Sequence, residues 1–209
     1  MTDETPTRGE QTRSAIIQAA HDLFVQQGYH GTSMRQVAQK AGLALGGLYN
    51  HFASKEEVFE AVFLEYHPSR ETVPLLLDAQ GQDVETLVRS AAERMVDVVR
   101  QRPDFLNLLF IEIVEFRNVH TQHVFENMLP YGLQVVERIM SVSDGRLRPL
   151  SPPMMVRSFL GMFLGYYLTE LIFARGTPPE FNQDAMHHFV EIYLRGVLKD
   201  DPDQPGGVV

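Results

Sequence analysis

Residues 32–52 read TSMRQVAQKAGLALGGLYNHF, and the fold can be traced outward from them. Ser33 followed three residues later by Gln36 is a capping box, which opens a helix by satisfying its first backbone N–H groups. That helix runs to about Ala41 and Gly42 ends it. A second short helix is expected from about Leu45 to His51. Upstream, residues 13–27 place Ile16, Ala20, Leu23 and Phe24 on one face, with Gly28 as a natural C-cap. Downstream, Ser54 and Glu57 form another capping box, opening a helix through Val58, Val62 and Leu64 that Pro68 ends or kinks.

The same three- and four-residue spacing continues along the chain. No Asn-Gly or Asp-Gly hairpin signal interrupts it, so the fold class is all-α. Longer helices are expected over about 83–101, stopped by Pro103, over 104–117, and over 121–142 with Pro130 as an internal kink. Ser151-Pro152 is an N-cap followed by proline at the first helical position. It opens a helix to Ala174, which Gly176, Pro178 and Pro179 terminate, and the last helix covers about 182–198. The total is about nine helices: a three-helix N-terminal unit with its fourth helix over 12–66, and a larger helical bundle over 67–200. The polar residues 1–11 and 201–209 read as mobile tails.

Composition sets limits. The 209 residues hold no cysteine, so disulfides, thiolate metal sites and Cys nucleophiles are excluded. The most apolar run, residues 158–169, is shorter than the roughly twenty residues a membrane span needs. A cytoplasmic protein without membrane association is expected, and no cofactor is implied. Glu-x-x-His pairs, His-Glu-x-x-His, a P-loop and Gly-x-Ser-x-Gly do not occur, which argues against an enzyme. The net charge of −9 argues at first against nucleic acid. Its distribution does not: residues 13–55 carry Arg13, Arg35, Lys40 and Lys55 against Asp22 alone, a net +3 that leaves −12 elsewhere.

Two short helices joined by a tight glycine-containing turn, after a longer first helix, make a helix-turn-helix. The stretch from Thr12 to Phe63 resembles the DNA-binding domain of the tetracycline-repressor (TetR) family. The resemblance is carried by Ile16-Ile17-Gln18-Ala19-Ala20, Leu23-Phe24, Gly28-Tyr29-His30-Gly31-Thr32-Ser33, Val37-Ala38, Ala41-Gly42-Leu43, Gly46, Leu48-Tyr49-Asn50-His51-Phe52 and Ser54-Lys55-Glu56-Glu57. It implies a larger helical domain for dimerisation and effector binding, and a role as a ligand-responsive regulator of transcription, usually a repressor. Such a dimer binds a near-palindromic operator and is released by a small effector.

The resemblance also places the DNA-binding candidates. Ser33 caps the supporting helix, whose first N–H groups suit a phosphate, and Arg35 is near enough to reach phosphate or a base edge. Tyr49 and His51 match the family's phosphate contacts, Asn50 lies between them, and Lys55 is a candidate backbone clamp. The recognition helix departs from the family's pattern. Ala44 replaces a hydroxyl residue, Leu45 a Lys or polar residue, and Gly47 a Thr or Ser. Leu45 suits a thymine methyl, while Gly46 and Gly47 allow close backbone approach. His30 reads as a turn residue, and Phe24, Val37, Ala38, Leu48 and Phe52 as core.

In the larger domain, Gly161 and Gly165 lie four apart among Phe159, Met162, Phe163, Tyr166 and Leu168. The last helix presents Met186, Phe189, Val190, Tyr193 and Val197. The family places its dimer interface on the last two long helices; an intrachain core is the other reading. The effector candidates are Phe105, Phe110, Phe116, Met128, Tyr131, Phe159, Phe163 and Tyr166, flat or deformable side chains that suit an apolar small molecule as well as a core. Glu112, Glu115, His120 and His123 cluster in sequence and are expected to be solvated rather than metal-binding. The alternative function is a helical adaptor or ligand-binding protein with weakened or lost DNA binding, for which the apolar Ala44, Leu45 and Gly47 are the support.

Overall fold

The computed structural model describes residues 7–173, 178 and 183–199. Ten helices occur among them: α1 (Arg8–Gly31), α2 (Met34–Lys40), α3 (Leu45–Tyr49), α4 (Lys55–Tyr66), α5 (Ser69–Leu77), α6 (Val84–Arg100), α7 (Phe105–Glu115), α8 (Val119–Ser141), α9 (Pro152–Phe173) and α10 (Ala185–Val197). No strand forms among these residues, only an isolated bridge between Leu147 and Leu198. The all-α expectation holds. The expected end of α9 at Ala174, the terminators Gly176 and Pro179, the start of the last helix at Asn182 and the tail over 201–209 lie outside the described residues.

One boundary and one added helix differ from the sequence reading. First, α1 starts at Arg8, inside the expected N-terminal tail. Thr7 caps it: its side chain accepts from the Glu10 N–H, and the Glu10 carboxylate accepts from the Thr7 N–H at 2.7 Å. This Thr-x-x-Glu box offsets the unfavourable Gly9. Second, α5 lies where the sequence reading places no helix, between Pro68 and the helix expected from about 83, and it holds Pro74 inside it. It forms around Pro74 because Leu76 and Ala79 pack onto an apolar core. Tertiary burial outweighs the missing N–H bond.

The chain divides into two compact units, and α8 contributes to both. The first contains the chain up to Pro68 together with Gln101–Asn127, so α7 and the start of α8 join α1 to α4. Its centre holds Ile16, Ala20, Phe24, Val37, Leu48, Phe59 and Phe63, all buried. Each large side chain removed from water contributes roughly 1.5–3 kcal/mol. Aromatic rings tie the helices together. Phe24 meets Phe59 edge-on at 5.5 Å, and Phe59 stacks on Phe116 at 4.6 Å.

The second unit contains Ser69–Arg100 and the chain from Met128 onward. Its core joins Leu87, Val88 and Ala91 of α6, Val136 and Ile139 of α8, Met155 of α9, and Val190, Tyr193, Leu194 and Val197 of α10. The Tyr193 hydroxyl donates to the Met155 carbonyl at 3.2 Å, and burial pushes its pKa up to about 12. The residues expected to present a dimer surface on the last helix therefore serve the intrachain core at Val190, Tyr193 and Val197. No helix among the described residues is long and apolar enough to cross a membrane.

Candidate nucleic-acid interface

Helices α2 and α3 sit on the first unit, locked by Val37, Ala38 and Leu48, which are buried. The turn between them needs Gly42, whose φ of +71° lies where a side chain would be strained. Gly28, with φ +74°, likewise breaks α1 near its end.

Ser33 is the N-cap of α2. Its hydroxyl accepts from the Gln36 N–H at 3.3 Å and donates to Gln36 Oε1 at 2.7 Å, while that oxygen also accepts the Ser33 N–H at 2.8 Å. Arg35 beside it is exposed. Helix α3 is one short turn, and its N-cap Ala44 makes no side-chain cap bond. Leu45 is 39% exposed and Tyr49 49%. Asn50 and Gly46 are exposed too, and His51 and Gly47 are partly so. Ser33, Arg35, Leu45, Gly46, Gly47, Tyr49 and Asn50 thus lie at the surface of the helix pair.

Lys55 is differently employed. Its ammonium donates to the carbonyls of Tyr29 at 2.8 Å and Thr32 at 2.9 Å, and lies 4.1 Å from the centre of the Tyr29 ring. Burial holds its pKa below the usual lysine range. Lys55 therefore clamps the end of α1 to the start of α4, with two of its three donors occupied. Lys40 pairs with Asp22 at 3.0 Å. Burial would raise the Asp22 carboxyl, but hydrogen bonds from Lys40, His21 and Gln18 together hold it below its ordinary value. The Arg13 guanidinium lies 4.9 Å from the centre of the Phe52 ring.

In the acidic and histidine cluster, Glu115 and His123 are exposed as expected, whereas Glu112 and His120 correct the expectation of solvated residues. Glu112 is fully buried and His120 is 4% exposed. Glu112 Oε2 lies 2.7 Å from His120 Nδ1, and its Oε1 accepts the backbone N–H groups of His120 at 2.7 Å and Thr121 at 3.2 Å. A carboxylate eight residues upstream thus caps α8, across a turn in which Arg117 and Asn118 have φ of +52° and +67°. Glu115 pairs with His30 at 2.6 Å, so His30 does more than fill a turn. His123 lies 3.5 Å from Glu60. Helical projection missed the capping role because it shows which face a residue occupies and not what a following turn folds back onto it.

The effector candidates are divided. Phe105, Phe110 and Phe116 belong to the first unit; Met128, Tyr131, Phe159, Phe163 and Tyr166 belong to the second. Phe105 packs edge-on against His67 at 5.0 Å. Phe116 stacks on Phe59, and Phe159 meets Tyr193 edge-on at 5.6 Å. Phe110 and Tyr131 are exposed. A cavity of about 340 Å³ opens in the second unit between α6, α9 and α10, and of the eight candidates only Tyr166 lines it. Its wall includes Arg89, Glu93, Arg100, Glu170 and His187. Arg89 also pairs with Glu191. Among the described residues no group of three or more His, Cys, Asp or Glu is placed to hold a metal ion.

Residues 16–62 match the family described as bacterial regulatory proteins, tetR family. The regulator UidR of Escherichia coli K12 is 35% identical over 65 residues, 31% of this chain and 33% of that protein, so this match spans only a third of its relative. The regulator SrpR of Pseudomonas putida is 31% identical over 179 residues, covering 83% of this chain and 79% of that one. The repressor KstR2 of Mycolicibacterium smegmatis is 28% identical over 162 residues, 71% of this chain and 74% of that one. A solved structure of a candidate TetR-family regulator from Mesorhizobium loti is 26% identical with a TM-score of 0.68, covering 93% of this chain and all of that one. These relatives are named as regulators of transcription and not as enzymes. With a helix-turn-helix at one end and a helical bundle making up most of the rest, the chain belongs to the TetR family of bacterial regulatory proteins.

Proposed function

We propose that the protein is a ligand-responsive, DNA-binding regulator that works in the cytoplasm as a homodimer and represses transcription from a near-palindromic operator. The observation that carries this reading is the surface of α2 and α3, where Arg35, Tyr49 and Asn50 are exposed around a rigidly packed helix pair. These groups suit phosphate and base contacts on duplex DNA. Ser33, His51 and the remaining donor of Lys55 complete the set. The sign of control follows the similarity to a named repressor.

Dimerisation is assigned to α9 and α10. Leu160, Leu164, Leu171 and Ile172 of α9 and Ile192 of α10 are exposed large apolar residues. A Cβ added at Gly161 would meet nothing within 4 Å, which leaves room for a helix of the second copy. Two-fold symmetry then presents two recognition helices to two half-sites about 34–36 Å apart.

The effector is a small molecule whose binding favours a state with the wrong half-site spacing. The eight aromatic and Met candidates suggested an apolar effector. The charged wall of the cavity beside Tyr166 favours one that carries polar groups as well. A coupling of about 1–3 kcal/mol would weaken operator binding 5–150-fold. Fluorescence anisotropy with DNA from upstream of its own gene, with and without candidate effectors, tests the reading. Absence of sequence-specific binding at low salt would favour the adaptor alternative.

A further inference from the structure

The exposed surface of α3 has an unusual chemistry. From Ala44 to Gly47 no side chain carries a hydrogen-bond donor or acceptor. Leu45 is the one large side chain in that run, and it is 39% exposed. Leu48, three residues on, is buried and anchors the helix from beneath. Gly46 and Gly47 cost about 1 kcal/mol each against alanine in a helix. No packing among the described residues requires them, because a Cβ at either position would meet no atom of these within 4 Å. Glycines that no internal packing explains, flanking an exposed leucine, fit a backbone that something outside the chain approaches closely.

In the major groove, guanine, cytosine and adenine are distinguished by hydrogen-bonding groups, while thymine also offers its C5-methyl, the apolar mark an aliphatic side chain can read. We propose that Leu45 is a specificity-determining residue that reads a thymine methyl in each half-site. The donors around it, Arg35, Tyr49 and Asn50, then serve chiefly to fix register on the phosphates. Base pairs facing Gly46 and Gly47 are read only through the backbone and tolerate change. The proposal rests on the DNA-binding reading above and adds to it which chemical feature of the operator carries the discrimination.

The test uses the full-length protein and the tightest duplex recovered from a random-sequence selection. Each thymine is replaced singly by deoxyuridine, which removes only the methyl. One thymine in each half-site should weaken binding about fourfold on replacement, the effect of one methyl-sized group returned to water. Leu45→Ala, which removes a half-exposed side chain and should leave the melting temperature nearly unchanged, should lose this discrimination, and Leu45→Met should keep it. If wild type binds the selected duplex but no deoxyuridine weakens it, or if Leu45→Ala still discriminates, the proposal is overturned while the DNA-binding reading stands. If selection yields no duplex bound above random DNA, both are overturned.

Discussion

Glu112 and His120 form a buried pair, with Oε2 and Nδ1 2.7 Å apart, at the junction of α7 and α8. His120 packs against Phe116 at 4.9 Å and Phe59 at 5.9 Å, so the junction is held to the aromatic core of the first unit. Removing one member leaves the buried hydrogen-bonding groups of the other unsatisfied. Glu112→Ala leaves the His120 side chain and the His120 and Thr121 backbone N–H groups without their acceptor and should therefore lower the unfolding free energy by about 2–4 kcal/mol, read by urea denaturation. Glu112→Gln keeps an acceptor for the His120 and Thr121 N–H groups and should cost less than Glu112→Ala.

His67 gives the first unit a pH dependence. Burial pulls its pKa down to about 4 from an ordinary value of 6.5. Between those values the unfolded chain binds a proton that the folded protein refuses, so stability rises with pH through this window. The contribution is complete above about pH 6.5 and is lost as pH falls toward 4, on the order of 3 kcal/mol in all. Melting curves at pH 7 and pH 4.5 should show a smaller acid-induced loss for His67→Phe than for wild type. Equal losses would contradict the assignment.

Lys55 and Tyr49 should separate stability from binding. Lys55→Met removes two charge-assisted bonds to the Tyr29 and Thr32 carbonyls and should cost about 1.5 kcal/mol of stability. Tyr49→Ala removes an exposed ring and should change stability by no more than about 0.5 kcal/mol, while weakening operator binding at least tenfold. Parallel denaturation and anisotropy titrations distinguish the two outcomes.

If α9 forms the proposed dimer interface, Leu164→Glu should dissociate the dimer, because the carboxylate would lie against the apolar face of a second copy. Sedimentation velocity at micromolar concentration should show monomer, with the dissociation constant raised about 100-fold or more. A dimer that persists would move the interface away from α9.

Few cations remain for phosphate. Lys40 is paired with Asp22 and Lys55 has one donor left, so among the described residues Arg35 and Arg13, whose guanidinium also faces the Phe52 ring, are the principal cations near α2 and α3 for the proposed contacts. Two contacts per half-site give a salt slope of about −4 for a dimer. A slope near −9, the value for ten phosphate contacts, would show that other groups supply the charge.

The local elements are legible in the order of residues alone. The capping box at Ser33, the N-cap at Ser54 (whose expected box forms only in part, since Glu57 accepts from the Ala53 N–H), glycines at 28 and 42, and apolar spacing fix where helices begin, end and turn, and these depend on residues within a turn or two of each other. The helix-turn-helix was legible for that reason, and so were the buried Phe24, Val37, Leu48 and Phe52. Whatever depends on distant partners comes from the tertiary fold. It formed α5 around Pro74 and drew Glu112 out of solvent to cap α8. It tied Lys55 to the α1 turn, and it divided the aromatic residues between two units. Helical periodicity reports which face a residue occupies, but burial and pairing are set by what folds against that face, and that information is spread along the whole chain.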